Sequence, residues 1–197
     1  SPISRAADAD SDNDGLLEGV EDLDGDGSVG GGETDPGQAS AAQLPTDIRH
    51  YPMDGVRDHP AVLVASHGLD LYARFDGRYL YVATQDAGED NDHFIFISTN
   101  PADAVSAPWA KAGQVGRWLA YLADENDSPF TGWFDAAGQV ITNLFAARAA
   151  TYFQNGGRLE GVIDLSPLLG PGFTQALYLA AAPYVTADGG ALVTSAQ

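Results

Sequence analysis

Cysteine is absent, and lysine occurs only once, at Lys111. The missing cysteines exclude disulfides, zinc thiolate sites and thiol catalysis. Basic residues as a class are scarce. Nine Lys and Arg stand against 28 Asp and Glu, giving a formal net charge of −19. A binder of the nucleic-acid backbone needs clustered cations, so nucleic acid is not expected as a partner. An anionic membrane surface is disfavoured for the same reason. Nor does any window approach the roughly 20 consecutive apolar residues of a membrane span. The usual enzyme signatures are missing too. The chain has no HExxH, no GxSxG, no phosphate loop and no GxGxxG on a βα turn. It is therefore read as a non-enzyme.

What is present is 197 residues, 44% of them hydrophobic. That is enough for one ordinary domain and a small appendage. The acid is unevenly spread. Residues 1–36 hold eleven acidic residues against Arg5 alone, whereas residues 37–197 hold seventeen against eight basic ones. The first segment has few large apolar residues, so it repels itself and has little surface to bury. It is expected to need a cation to fold. Residues 37–47, GQASAAQLPTD, read as a linker by their small and polar composition. The chain opens Ser1-Pro2 without Met or a signal sequence, which reads as a mature or trimmed start.

The acidic segment repeats one frame. Asp10, Asp12 and Asp14 alternate, Gly15 follows, and Glu21 comes six residues later. The frame restarts at once with Asp22, Asp24, Asp26, Gly27 and Glu33. Both stretches fit the D-x-[DN]-x-[DN]-G-x5-E calcium loop. Calcium is a hard ion that takes six to eight oxygens at about 2.3–2.6 Å. Alternate carboxylates on a curled loop all point at one centre. The glycine permits the turn that brings in the next backbone carbonyl, here that of Leu16 or Ser28. The final Glu closes the shell with two oxygens. Glu18 holds the ninth position of the first loop, but Gly30 holds it in the second, where water is expected. An EF-hand needs a helix on each side of its loop. Glu21 and Asp22 are adjacent, so no helix fits between these two loops.

This arrangement, DADSDNDGLLEGVEDLDGDG with ETDP after it, resembles the thrombospondin type 3 repeat over residues 8–36. The resemblance implies a calcium-filled spacer outside the cytosol, with Asp8 and Asp35 as further candidate ligands. Calcium is the one cofactor expected, and an extracellular or cell-surface location goes with it.

The remainder, residues 48–197, reads as a mainly β antiparallel β-sandwich of jelly-roll type. DLYARF (70–75) alternates apolar and polar residues, Asp76-Gly77 follows, and RYLYVAT (78–84) continues. An Asp-Gly pair between alternating runs is the strongest short hairpin signal. Further strands are expected at 93–98, 115–123, 158–165 and 175–185, with FDAAG and other turn signals between them. The stretch 139–153 fits a helix or two short strands equally well.

The order of these segments resembles the family 9 carbohydrate-binding modules and related DOMON-like sandwiches. The matching residues are Met53-Asp54-Gly55, DLYARFDGRYLYVATQ (70–85), EDNDHFIFIS (89–98) and LEGVIDLSPLLG (159–170), while 101–157 carries no matching motif. The resemblance implies the sandwich fold, a sugar ligand, and a possible extra calcium in the loop holding Asp86, Glu89, Asp90 and Asp92. A solvated hairpin loop is the other reading of those four. Trp109, behind Ala107-Pro108 in a loop, and Trp133 are candidate platforms for sugar rings, or else packing residues. Trp118, inside an alternating strand, is read as core. The four histidines show no metal-ligand spacing.

Three functions are weighed, one of them a calcium-buffering extracellular domain with no further ligand. The first is a secreted calcium-binding protein whose sandwich binds polysaccharide or a cell-surface glycan, or serves as an accessory or adhesion module. The second is a calcium-stabilised structural subunit of a surface layer or extracellular filament. In that case the N-terminal segment of one copy self-associates with a sheet edge of the next.

Overall fold

A computed structural model of the chain describes residues 48, 51, 53, 57, 61–85, 91–127, 130–141, 147–152, 158–170 and 172–197. The chain divides into two compact units, residues 1–52 with 58–60, and residues 53–57 with 61–197. In the first unit the Tyr51 amide donates to the Ile48 carbonyl at 3.2 Å. The calcium-loop ligands and the 37–47 linker lie outside the described residues.

The second unit is the expected antiparallel sandwich. Its strands are β1 (Val62–Ser66), β2 (Asp70–Phe75), β3 (Tyr79–Gln85), β4 (Asn91–Ser98), β5 (Ala104–Ser106), β6 (Gln114–Gly116), β7 (Ala120–Asp124), β8 (Thr131–Asp135), β9 (Ala147–Tyr152), β10 (Arg158–Asp164) and β11 (Tyr178–Val185). One short helix, α1 (Ser166–Leu169), follows β10. Among the described residues, one sheet runs β1-β2-β3-β10-β9, a second β11-β4-β7-β8, and β5 pairs with β6 alone. Residues 139–153 form no helix in their described part: Val140 bridges to Phe134, and β9 pairs with β10.

Period-two patterning sorts the side chains of the second sheet. Ile95 and Ile97 of β4, Ala120 and Leu122 of β7, Trp133 of β8 and Ala181 of β11 point inward. They meet Leu71 and Ala73 of β2, Leu80 and Val82 of β3, and Leu159 and Ile163 of β10. Each large side chain removed from water here stabilises the sandwich by about 1.5–3 kcal/mol. The opposite face of the same sheet is apolar as well. It carries Phe94, Phe96, Tyr121, Phe134, Ala182 and Tyr184, covered by Ala107, Trp109, Val115 and Trp118 from the β5–β6 hairpin and its flanks. The second sheet is thus covered on both sides, and its strands carry consecutive apolar residues, as in Phe94–Ile97 of β4 and Ala120–Ala123 of β7.

Two expectations need correcting. Residues 115–123 are not one strand. The chain breaks between β6 and β7, where the Arg117 amide turns to the Asp103 carbonyl at 2.6 Å and the Leu119 amide to Ile97 at 2.7 Å. Trp118 therefore leaves the inter-sheet core and packs on the outer aromatic face, 5.4 Å from Phe96 by ring centroids. The FDAAG segment is not wholly a turn either, because Phe134 and Asp135 belong to β8 and only the residues after them reverse the chain.

Candidate functional site

Among the described residues a groove of about 630 Å³ lies beside the edge of the second sheet. Its floor follows from small residues on β11. Ala180 and Ala182 sit opposite Phe96 and Phe94 of β4 and point to the outer face. Their methyl groups leave a trench between larger neighbours, Tyr178 and Tyr184 along the strand and Phe96 across it. Gln114 and Val115 of β6 form one wall, and Leu192, Ser195 and Gln197 of the C-terminal segment form the other.

That segment is fastened to β11. The Ala181 amide donates to the Ala196 carbonyl at 2.7 Å and the Ala196 amide returns to Ala181 at 3.0 Å, while Val193 donates to Pro183 at 2.9 Å. Thr194 donates its hydroxyl to the His67 carbonyl at 2.8 Å, tying the wall to the turn between β1 and β2. The volume is in the range of small-molecule sites. Among the described residues, no Asp, Glu, Lys, Arg or His lines the groove. In a chain of net charge −19 the described lining side chains are aromatic, aliphatic, amide and hydroxyl groups. The Tyr178 ring is 49% exposed at its mouth.

The two tryptophan platforms expected from sequence lie elsewhere. Trp133 is 2% exposed and buried between the sheets, so it presents no face to a sugar. Trp109 is half-buried and stands edge-on to Phe94 and Phe134 at centroid distances of 5.0 and 5.5 Å. It also donates its indole N–H to the Tyr121 hydroxyl. Burial pushes the Tyr121 phenol up to about 12. The Trp109 hydrogen bond opposes that shift, and the negative charge of Asp135 adds to it. Burial likewise raises Tyr184. Both rings therefore remain neutral through the physiological range.

Of the four acidic residues proposed for an extra calcium, Asp86, Glu89 and Asp90 lie outside the described residues. Asp92 is described, and its carboxylate is already engaged. Its Oδ2 pairs with Lys111 Nζ at 2.8 Å, and its Oδ1 accepts from the Asn126 amide at 3.0 Å. Among the described residues no group of three or more His, Asp or Glu converges to hold a metal.

A smaller hollow of about 270 Å³ lies by α1, lined by Phe75, Arg78, Ser166 and Phe173 among others. Beside it Arg78 donates twice to Asp164 Oδ2, at 2.6 and 3.0 Å, and the Ser166 amide donates to Oδ1 at 2.8 Å. Burial works to raise the Asp164 carboxyl. The hydrogen bonds from Arg78 and Ser166 outweigh it and hold the group below the ordinary carboxylate range.

No family model matches the chain, and no curated protein matches it. Among solved structures it is similar to a carbohydrate-binding module of family 9 from Caldicellulosiruptor kristjanssonii, solved in complex with cellotriose. The identity is 13%, the match covers 74% of this chain and 77% of that one, and the TM-score is 0.43.

Proposed function

We propose that the sandwich is a non-catalytic carbohydrate-binding module for a neutral glycan, acting outside the cell and carried with a calcium-binding N-terminal segment. The observation that carries this reading is the groove on β11. A sugar ring presents an apolar CH face and a rim of hydroxyls. The half-exposed Tyr178 ring and the Ala180–Ala182 floor suit the first, and Gln114, Ser195 and Gln197 suit the second. The absence of charged side chains along the described lining favours a neutral polymer over an acidic one. It also gives a hydrolytic mechanism no carboxylate pair in the groove, which favours binding over cleavage.

Calorimetric titration with soluble neutral polysaccharides (glucans, xylan and glucomannan) tests the reading. At least one should bind. Tyr178→Ala should weaken it about tenfold, equivalent to about 1.4 kcal/mol, with the melting temperature unchanged. Binding to none of them, or binding indifferent to Tyr178→Ala, rejects the groove as a sugar site.

A second reading, the structural subunit of a layer or filament, is favoured by β1. Among the described residues it is an edge strand, and its consecutive Val62, Leu63 and Val64 are 60%, 51% and 48% exposed. Apolar strand edges pair readily with other chains. Calcium-dependent polymers by light scattering, together with no glycan binding, would select that reading over the first.

A further inference from the structure

Lys111 is the chain's one lysine, and its side chain is 1% exposed. Its ammonium faces four oxygens. Asp92 Oδ2 lies at 2.8 Å, and the carbonyls of Val185, Thr186 and Ala187 at 3.0, 2.5 and 3.2 Å. The three carbonyls are successive, so the chain after β11 curls to aim them at one point. The curl is tight. A Cβ at Gly190 would stand 1.9 Å from the Val185 carbonyl oxygen and 2.7 Å from that of Ala187, so only glycine fits there. The hairpin bends to meet it. Trp109 and Ala110 both adopt φ of 52°, a left-handed backbone that is strained for a non-glycine residue. Reciprocal amide bonds lock the two loops together, from Ala112 to the Gly190 carbonyl and from Gly189 to the Ala110 carbonyl, each at 3.0 Å.

An ammonium has three donors and here meets four acceptors. A spherical cation has no such mismatch. Convergent backbone carbonyls plus one carboxylate are the donor set of a hard, oxygen-seeking ion. An unpaired charge buried to this degree would be prohibitive, so the ammonium and Asp92 depend on each other.

We propose that Asp92 and the carbonyls of Val185, Thr186 and Ala187 form a cation site, that Lys111 is its built-in occupant, and that calcium takes the ammonium's place when the side chain is shortened. The site carries a single negative charge. Calcium entering it therefore leaves one positive charge in a strongly acidic chain. Four protein oxygens are short of calcium's usual six to eight, and water in the space left by the lysine stem supplies the rest. The site's present work is to join four places far apart in sequence: β4, the β5–β6 turn, the loop after β7 through Asn126, and the loop after β11. By fixing the turn it also holds Trp109 on the aromatic face.

Terbium, a luminescent stand-in for calcium, provides the test. Trp109 is two residues from the site, and residues 1–47 contain no Phe, Trp or Tyr to sensitise an ion bound in the acidic loops. Lys111→Ala should gain a saturable tryptophan-sensitised emission over wild type, and calcium should chase it. The double variant Lys111→Ala with Asp92→Asn should not gain it. Neither should Lys111→Met, which keeps the apolar stem in place. A folded Lys111→Ala protein with no gain over wild type overturns the proposal. If Lys111→Ala folds only with calcium added, the proposal stands; if it fails to fold with and without calcium, the proposal falls.

Discussion

Tyr121 shows how one buried side chain sets a limit on the solution conditions the fold tolerates. Its hydroxyl accepts from Trp109 under the β5–β6 hairpin, and its ring stacks on Phe134 at 4.8 Å. In the unfolded chain a phenol ionises near 10. Burial raises the folded value to about 12, with Trp109 opposing and Asp135 assisting. The stabilisation from keeping this phenol neutral is fully present below pH 10. It is lost as pH climbs from 10 towards 12, because the unfolded chain releases the proton first. The loss across that interval is about 2 kcal/mol. Tyr121→Phe cannot ionise and should escape it. Urea unfolding of both proteins at pH 8 and again near pH 11 should show the gap between them moving in favour of Phe. A gap that stays constant would mean the Tyr121 phenol titrates normally in the folded protein. Tyr184 is raised in both proteins and cancels from the comparison.

At the scale of elements, the β2–β3 hairpin was fully legible because its instructions are local. Asp76 Oδ1 accepts from the amides of Arg78 and Tyr79 at 2.8 and 2.7 Å, and Gly77 takes φ of 99° between them. A methyl group added at Gly77 would meet nothing within 4 Å. Gly77→Ala should therefore cost only the backbone penalty, about 1–2 kcal/mol in chemical denaturation. A negligible loss would show that the turn does not require that conformation. Strand β8 was hidden for the opposite reason. Trp133 faces the inter-sheet core and Phe134 the outer aromatic cluster, so no polar alternation marks the strand. The break at 117–119 was hidden too, since Val115 and Tyr121 serve the same outer cluster from different sheets and the apolar pattern runs on. Much of the candidate site was equally unreadable. Ala180 and Ala182 matter for the volume they leave empty, which no residue-type pattern announces. Lys111 stood out in the sequence only as the sole lysine. Its partners lie 19 residues before it and 74 to 76 after it, and folding alone brings them together.

The molecule as a whole has to manage its charge. The sandwich carries a groove whose described side chains are uncharged, whereas residues 1–36 hold eleven of the 28 acidic residues with Arg5 as their one basic residue. Fixed anions at that density repel each other, and on the proposed reading divalent ions supply the counter-charge, held by the two DxDxDG frames. Metal binding should then appear as local folding free energy of residues 8–35. Glu18 adds a carboxylate to the first loop where the second has Gly30, so the first loop should bind calcium more tightly. In calorimetric titration Glu21→Gln should abolish the stronger phase of heat and Glu33→Gln the weaker one, each leaving the other loop in place. Chelator should speed proteolysis within residues 1–47 while a fragment spanning 61–197 persists. Heats unchanged in both variants would remove calcium from this account of the acidic segment. The groove and the Lys111 cage would be untouched, because they draw on no residue before Val64.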